Sequence, residues 1–284
     1  VTQPTGVTGV ITHKALTLSI PGASRDYDGT TAITPSGPAS IAGVIVGDTA
    51  SLSSINLTGF VDKNVGLNKP VTYSSYALTG ADSANYTLPA QVVSNADIAA
   101  KTLTVTGTTV ANKVYDGTST ATLSGGALSG VLAADVANVT LTQAGSFANK
   151  NVGNAKVVTA ADVLGGSEAS NYSLTQPTGL SANITAKPLT VTGTSVANKV
   201  YDASTTATVS GGTLVGVVPA DVANVTLTQA GTFASKTVGA AKAVTIADSL
   251  GGSEATNYSL TQPTGLTANI TAKALSLSIP GATR

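Results

Sequence analysis

Three acidic positions recur along the chain at regular intervals: Asp28, Asp116 and Asp202; Asp48, Asp135 and Asp221; Asp82, Glu168 and Glu254. Clustered carboxylates are what calcium takes, six to eight oxygens at a time. Asp116, Asp135, Glu168, Asp202, Asp221 and Glu254 are therefore the candidate calcium ligands. No Asp-x-Asp-x-Asp-Gly run gathers them in sequence, and they lie far apart along the chain. Capping of turns by Asp is the preferred reading, with calcium as the alternative and no other cofactor implied.

Aromatic residues keep the same rhythm. Tyr27, Phe60 and Tyr86 are matched by Tyr115, Phe147 and Tyr172, and again by Tyr201, Phe233 and Tyr258. With eight Tyr, three Phe and no Trp, each small core needs its few large side chains. The nine are read as core anchors, with a sugar-stacking platform as the alternative. Tyr73 and Tyr76 occur once, outside the rhythm, and are the candidates for a ligand contact.

Other chemistry has little to work with. The single histidine, His13, has Ala186 and Ala272 at its later counterparts, and there is no Cys. Glu168 and Glu254 are the only glutamates, so no general-base constellation forms and an enzyme is not expected. Eight Asn-x-Ser/Thr sequons begin at Asn56, Asn85, Asn138, Asn171, Asn183, Asn224, Asn257 and Asn269. Several alternate with apolar residues, which would turn the Asn toward solvent as a glycan requires. Thr-rich strands also generate such tripeptides by accident.

The elements that must position these residues follow from composition and repetition. Net charge is zero, with 14 basic and 14 acidic residues, which removes the electrostatic basis for nucleic-acid or membrane-surface binding. Absence of Cys excludes disulfides and fits a protein exported unfolded. No apolar run is long enough to span a membrane and no signal-peptide pattern is present. A chain without Met is expected to be a piece of a longer protein. Only 10% of residues are charged, while Val, Thr and Ile suit pleated sheet.

Tyr115 and Tyr201 set a period of 86 residues. Residues 101–186 and 187–272 align without a gap, and 14–100 is a diverged copy. Residues 1–13 match the end of a repeat, and 273–284 match 14–25, so these flanks read as the tail of a preceding unit and the start of a following one. Within the second repeat, Leu103 and Val105, Val139 and Leu141, Tyr172 and Leu174, and Leu180, Ala182 and Ile184 alternate with polar neighbours. That is the pattern of half-buried antiparallel strands. Turn signals fall between them at Asp116-Gly117, Gly125-Gly126, Gly165-Gly166 and Pro177-Thr178-Gly179. About seven short strands per repeat predict small immunoglobulin-like β-sandwiches, with a β-grasp unit as the alternative. "LAADVANV" (132–139) has room for one helical turn. "NITAKPLTV" (183–191) leaves no linker, so the units are expected to form a semi-rigid rod.

Tyr-Asp-Gly at 115–117 is expected to plug its own unit's core and to reverse the chain into "TATL" as a hairpin. Ala203 replaces the glycine in the third copy, which favours a type I turn capped by Asp and compatible with Ala.

The ordered string "VYDG", "TATL", "NVTLTQAGSF", "NKNVG" and "NYSLTQPTGLSANIT" resembles the YDG-type tandem repeats of large bacterial filamentous-haemagglutinin-like surface adhesins. The first repeat, with "DYDGTTAI" and "NYTLPAQVVSNADI", is a variant of that pattern. The resemblance implies export across a Gram-negative outer membrane to the cell surface and a stalk role in attachment or biofilm formation. The alternative it leaves is direct binding of glycans or glycoproteins, or self-association. The nearest partners are then the flanking repeats of the same protein, with no nucleic acid and no membrane insertion, and an isolated piece is expected to be monomeric.

Overall fold

The computed structural model describes residues 1–278 and Gly281; the side chains of residues 54, 56, 57, 58, 74 and 76 lie outside the described set. Its regular structure is nearly all β, joined by short 3-10 turns. The alternation of Thr with Val and Leu becomes strands buried on one face, as in Lys101–Thr106, where Leu103 and Val105 point inward.

Each of the last two repeats makes a three-stranded sheet and a five-stranded sheet, beside two two-stranded pairs. In the second repeat, Lys101–Thr106 lies between Ala127–Ser129, antiparallel to it, and Tyr172–Thr175, parallel to it. The second sheet runs Lys113–Val114, Ser181–Thr185, Gly153–Ala160, Gly145–Phe147, Thr120–Ala121. The third repeat builds the same pair, from Lys187–Thr192 and from Thr267–Thr271 with their neighbours. Parallel pairs recur in every repeat, so the topology is mixed where antiparallel strands were expected. The first repeat differs by a long hairpin, Ser51–Phe60 with Gly66–Thr79, in a four-stranded sheet.

The three-stranded and five-stranded sheets of the second repeat belong to different compact units. One unit gathers residues 1–107, 126–142 and 162–177; the other gathers 108–125, 143–161 and 178–284. The first core packs Tyr27, Phe60, Val71, Tyr73 and Ile98 of repeat one with Leu103, Val139 and Tyr172 of repeat two. The next packs Tyr115, Phe147, Val158 and Ile184 of repeat two with Leu189, Val225 and Tyr258 of repeat three. The sequence repeat and the compact unit are therefore out of phase: each of these cores is completed by the repeat that follows. Nonlocal burial of this kind is where the apolar stabilisation of an aromatic-poor chain must come from.

The Tyr-Asp-Gly segment is not a hairpin. Lys113–Val114 and Thr120–Ala121 lie at opposite edges of the five-stranded sheet, joined by only five residues. Lys113 Nζ reaches across to the carbonyls of Thr118 at 2.9 Å and Thr120 at 3.0 Å. A flat five-stranded sheet would hold its edges roughly 19 Å apart, so this sheet curls toward closure. Asp116 Oδ1 accepts the Thr118 N–H at 2.9 Å, and Asp202 does the same for Ser204. This Asp cap spans two residues and drives the one between into left-handed backbone. Ala203 accordingly has φ +65°, which overturns the type I turn expected there. Replacing Ala203 with Gly is expected to raise stability by about 1 kcal/mol, read from the urea midpoint. An unchanged midpoint would show that the cap absorbs the strain.

In the third repeat the segment corresponding to "LAADVANV" holds a 3-10 helix, Pro219–Asn224, with proline at its start; the second repeat makes only turns there.

Candidate functional site

Two recurring sets of residues meet where one repeat enters the next. In the first unit the Tyr27 hydroxyl donates to Asp135 Oδ2 at 2.9 Å and lies 3.2 Å from Glu168 Oε2. Its one proton goes to the nearer, better buried carboxylate. Tyr172 donates to the same Asp135 oxygen at 2.7 Å and accepts the Leu132 N–H. The two rings meet edge to face, 5.4 Å between centroids. Lys63 bridges the carboxylates, 3.5 Å from Asp135 Oδ1 and 3.2 Å from Glu168 Oε2, and stands over the Tyr27 ring. Asn171 closes the set. Its Oδ1 accepts the Val65 N–H at 2.9 Å and its Nδ2 donates to Glu168 at 2.8 Å.

The second unit reproduces this one repeat later. Tyr115 donates to Asp221 at 2.8 Å, Tyr258 donates to it at 2.6 Å, and Lys150 bridges Asp221 and Glu254. Asn257 accepts the Val152 N–H at 2.9 Å and donates to Glu254. In both units the Tyr of the Tyr-Asp-Gly segment and the Lys come from one repeat. The Asp, the Glu, the Asn and the second Tyr come from the next. The chemistry of the site is adhesion between repeats: a buried carboxylate held by two phenols and a lysine.

The sequence-predicted residues distribute as follows. Tyr27, Phe60, Tyr86, Tyr115, Phe147, Tyr172, Phe233 and Tyr258 are buried, and Tyr201 is half-buried. Tyr115 plugs a core shared with repeat three, where a core of its own unit was expected. Tyr73 is wholly enclosed in the first core, so its ring is not offered to a ligand; the Tyr76 side chain lies outside the described residues. Asp116 and Asp202 are spent in their own turns, each paired with the lysine three residues back. Asp135 with Glu168, and Asp221 with Glu254, do come together, but an ammonium fills the place a calcium ion would take. Among the described residues no three acidic or histidine side chains gather as a metal site. Asn171 and Asn257 are buried and hydrogen-bonded, so these two sequons do not face solvent; the Asn56 side chain lies outside the described residues. Asn183 and Asn269 accept the backbone N–H of Ala155 and Ala241, pinning a bulge in which those alanines have positive φ.

Sequence reasoning missed Lys63, Lys150, Asn171 and Asn257 as partners. Their signal was present: the lysine of "NKNVG" recurs at 63, 150 and 236, and the Asn precedes each late tyrosine.

Burial pushes the Asp135 carboxyl up. The hydroxyls of Tyr172 and Tyr27, with the Lys63 charge, outweigh it and hold the group below the usual carboxylate range. Asp221 is held low in the same way by Tyr258, Tyr115 and Lys150. Burial, reinforced by these carboxylates, lifts Tyr115, Tyr172 and Tyr258 to about 12. The two shifts bound stability from opposite sides. A carboxyl with a lowered folded value stabilises above its unfolded value near ~4, and that stability is lost as pH falls through the folded one. A phenol with a raised value stabilises fully below ~10, and that is lost as pH rises toward its folded value. Melting temperature is expected to be level from about pH 5 to 9 and to fall on both flanks. A melting temperature that stays level above pH 10 would contradict the buried phenol–carboxylate arrangement.

The family model described as the YDG domain matches residues 12–93, 99–179 and 185–265. No curated protein and no solved structure matches the chain.

Proposed function

Since the chain belongs to the YDG-domain family, with the domain written three times in tandem, we propose that it is the structural stalk of a secreted, filamentous-haemagglutinin-like bacterial surface adhesin. In this reading the repeats hold an adhesive domain away from a Gram-negative cell and support attachment or biofilm formation. They form an elongated array of sandwich-like units and carry no catalytic step. The observation that supports it is the crossing of the repeat boundary by each shared core, with Tyr27 bonded to Asp135 and Tyr115 to Asp221. A series joined this way resists bending and separation at its junctions, which independent beads on flexible linkers do not.

The test places these repeats between a cell-surface anchor and an unrelated binding domain. Adhesion is expected to rise with repeat number and to be restored by a different tandem array of equal length. If only this sequence restores adhesion, or if the free chain gives reproducible hits on a glycan array, the repeats bind directly and the stalk reading fails.

A further inference from the structure

Both joints inside the molecule are built alike, a plug from one repeat seated in a socket from the next. Repeat one is a diverged copy, yet its plug offers Tyr27, Phe60, Lys63 and Val71 where repeat two has Tyr115, Phe147, Lys150 and Val158. The sockets match as closely, with Leu103, Asp135 and Tyr172 in one and Leu189, Asp221 and Tyr258 in the other. The seating is the same in both. Tyr27 lies 2.9 Å from Asp135 and Tyr115 2.8 Å from Asp221, and both lysines stand 3.2 Å from their glutamates. The Val65 and Val152 amides are each 2.9 Å from their asparagines. Matching sockets that hold two divergent plugs in one geometry read only these shared groups. A plug on another copy of the chain presents the same groups.

The hinge between plug and socket is very short. Only Ala100 separates Val92–Ala99 of the first plug from Lys101–Thr106 of its socket. In the second joint only Ala186 separates Ser181–Thr185 from Lys187–Thr192. The strands on either side are already extended, so straightening the hinge turns on the two soft backbone dihedrals of one alanine. A straightened hinge carries the socket away from its own plug. Short hinges of this kind invite identical elements to change places between copies.

We propose that copies of this chain interlock by exchanging these joints, the repeat-one plug of each molecule seating in the repeat-two socket of the other. Tyr27 of one copy then donates to Asp135 of its partner, Lys63 bridges the partner's Asp135 and Glu168, and the Val65 N–H meets Asn171. Every contact of the exchanged joint already exists within the single molecule. Exchange therefore leaves the contacts unchanged, and what opposes it is the freedom two molecules lose on joining. High concentration offsets that loss. In the closed joint Tyr27 is 1% and Asp135 2% exposed, so a folded molecule offers a partner no access to either. Exchange takes place while the joint is open, during folding, and the closed product persists on dilution. Reciprocal exchange at one joint gives a closed dimer, and exchange at the second joint with a third copy extends it into a series. The proposal rests on the geometry of the joint, and the stalk reading stands whether or not copies exchange.

The test refolds the whole chain from denaturant at ~1 μM and at ~1 mM, the latter of the order of a tethered effective concentration. Sedimentation is expected to show monomer from the dilute sample and dimer from the concentrated one, with the dimer surviving later dilution. A second arm reverses charges within the first joint. Lys63→Glu and Glu168→Lys each set like charges together in their own joint. Refolded together, they regain a native joint only by exchange, the plug of the Glu168→Lys chain entering the socket of the Lys63→Glu chain. Native mass spectrometry is expected to show the mixed dimer roughly tenfold or more above either variant's own dimer, since only the mixed pair escapes the like-charge contact. A wild-type chain that refolds as monomer at the higher concentration overturns the proposal. So does a mixed dimer no more abundant than the others, or a dimer that forms as soon as folded chains are mixed, which is surface contact without exchange.

Discussion

Asp221→Ala is expected to destabilise the chain by about 3–5 kcal/mol, the usual cost of removing one partner from a buried charged set. Asp221 is 1% exposed and receives two phenol hydroxyls and an ammonium. Its loss leaves Tyr115 and Tyr258 with buried hydroxyls that have lost their acceptor, and leaves Lys150 with Glu254 alone. The cost falls on both sides of the boundary, because Tyr115 belongs to repeat two and Tyr258 to repeat three. Amide exchange should therefore accelerate together in Lys113–Val114 and Ser181–Thr185 of repeat two and in Lys187–Thr192 and Tyr258–Thr261 of repeat three. The four-stranded sheet of repeat one should keep its protection, since its core is completed by Asp135 and Tyr172. Faster exchange confined to repeat three would show that the joint is not shared.

Gly252→Ala should follow closely, at about 2–4 kcal/mol, although it removes no contact. Gly252 has φ +98°, and a Cβ there would fall inside the Asn224 carbonyl. That is backbone against backbone, which no rotamer change relieves. The glycine turns the chain from Ser249–Gly251 into the 3-10 turn Ala255–Asn257, and so sets Glu254 and Asn257 opposite Lys150 and Val152. The variant is expected to lower the urea midpoint and to loosen the Val152 amide, a full repeat away in sequence. A loss of stability with Val152 protection intact would mean that the turn is strained but does not position the joint.

The strands, the repeat and the burial of the recurring aromatics were legible in the sequence because each depends on local pattern: alternation, spacing and scarcity of large rings. The phase of the folding unit was not. Near-identical repeats look the same whether Tyr115 meets Asp135 in its own repeat or Asp221 in the next, because a shift by one period leaves the pattern unchanged. Only packing breaks that degeneracy. The same limit explains Asn171, whose tripeptide reads as a glycan acceptor while tertiary contacts bury it. At Ala203 residue preference argued for an ordinary turn, and the Asp202 cap overrode it.

The central claim is that neighbouring repeats share their cores through Tyr115 and Asp221, and a double-mutant cycle in the whole chain tests it. Tyr115→Phe and Asp221→Asn are measured singly and together, beside a second cycle that pairs Tyr115→Phe with Asp135→Asn. Coupling of about 1 kcal/mol or more is predicted between Tyr115 and Asp221, with additivity between Tyr115 and Asp135. Additivity in the first cycle with coupling in the second would place each tyrosine in its own repeat and contradict the account.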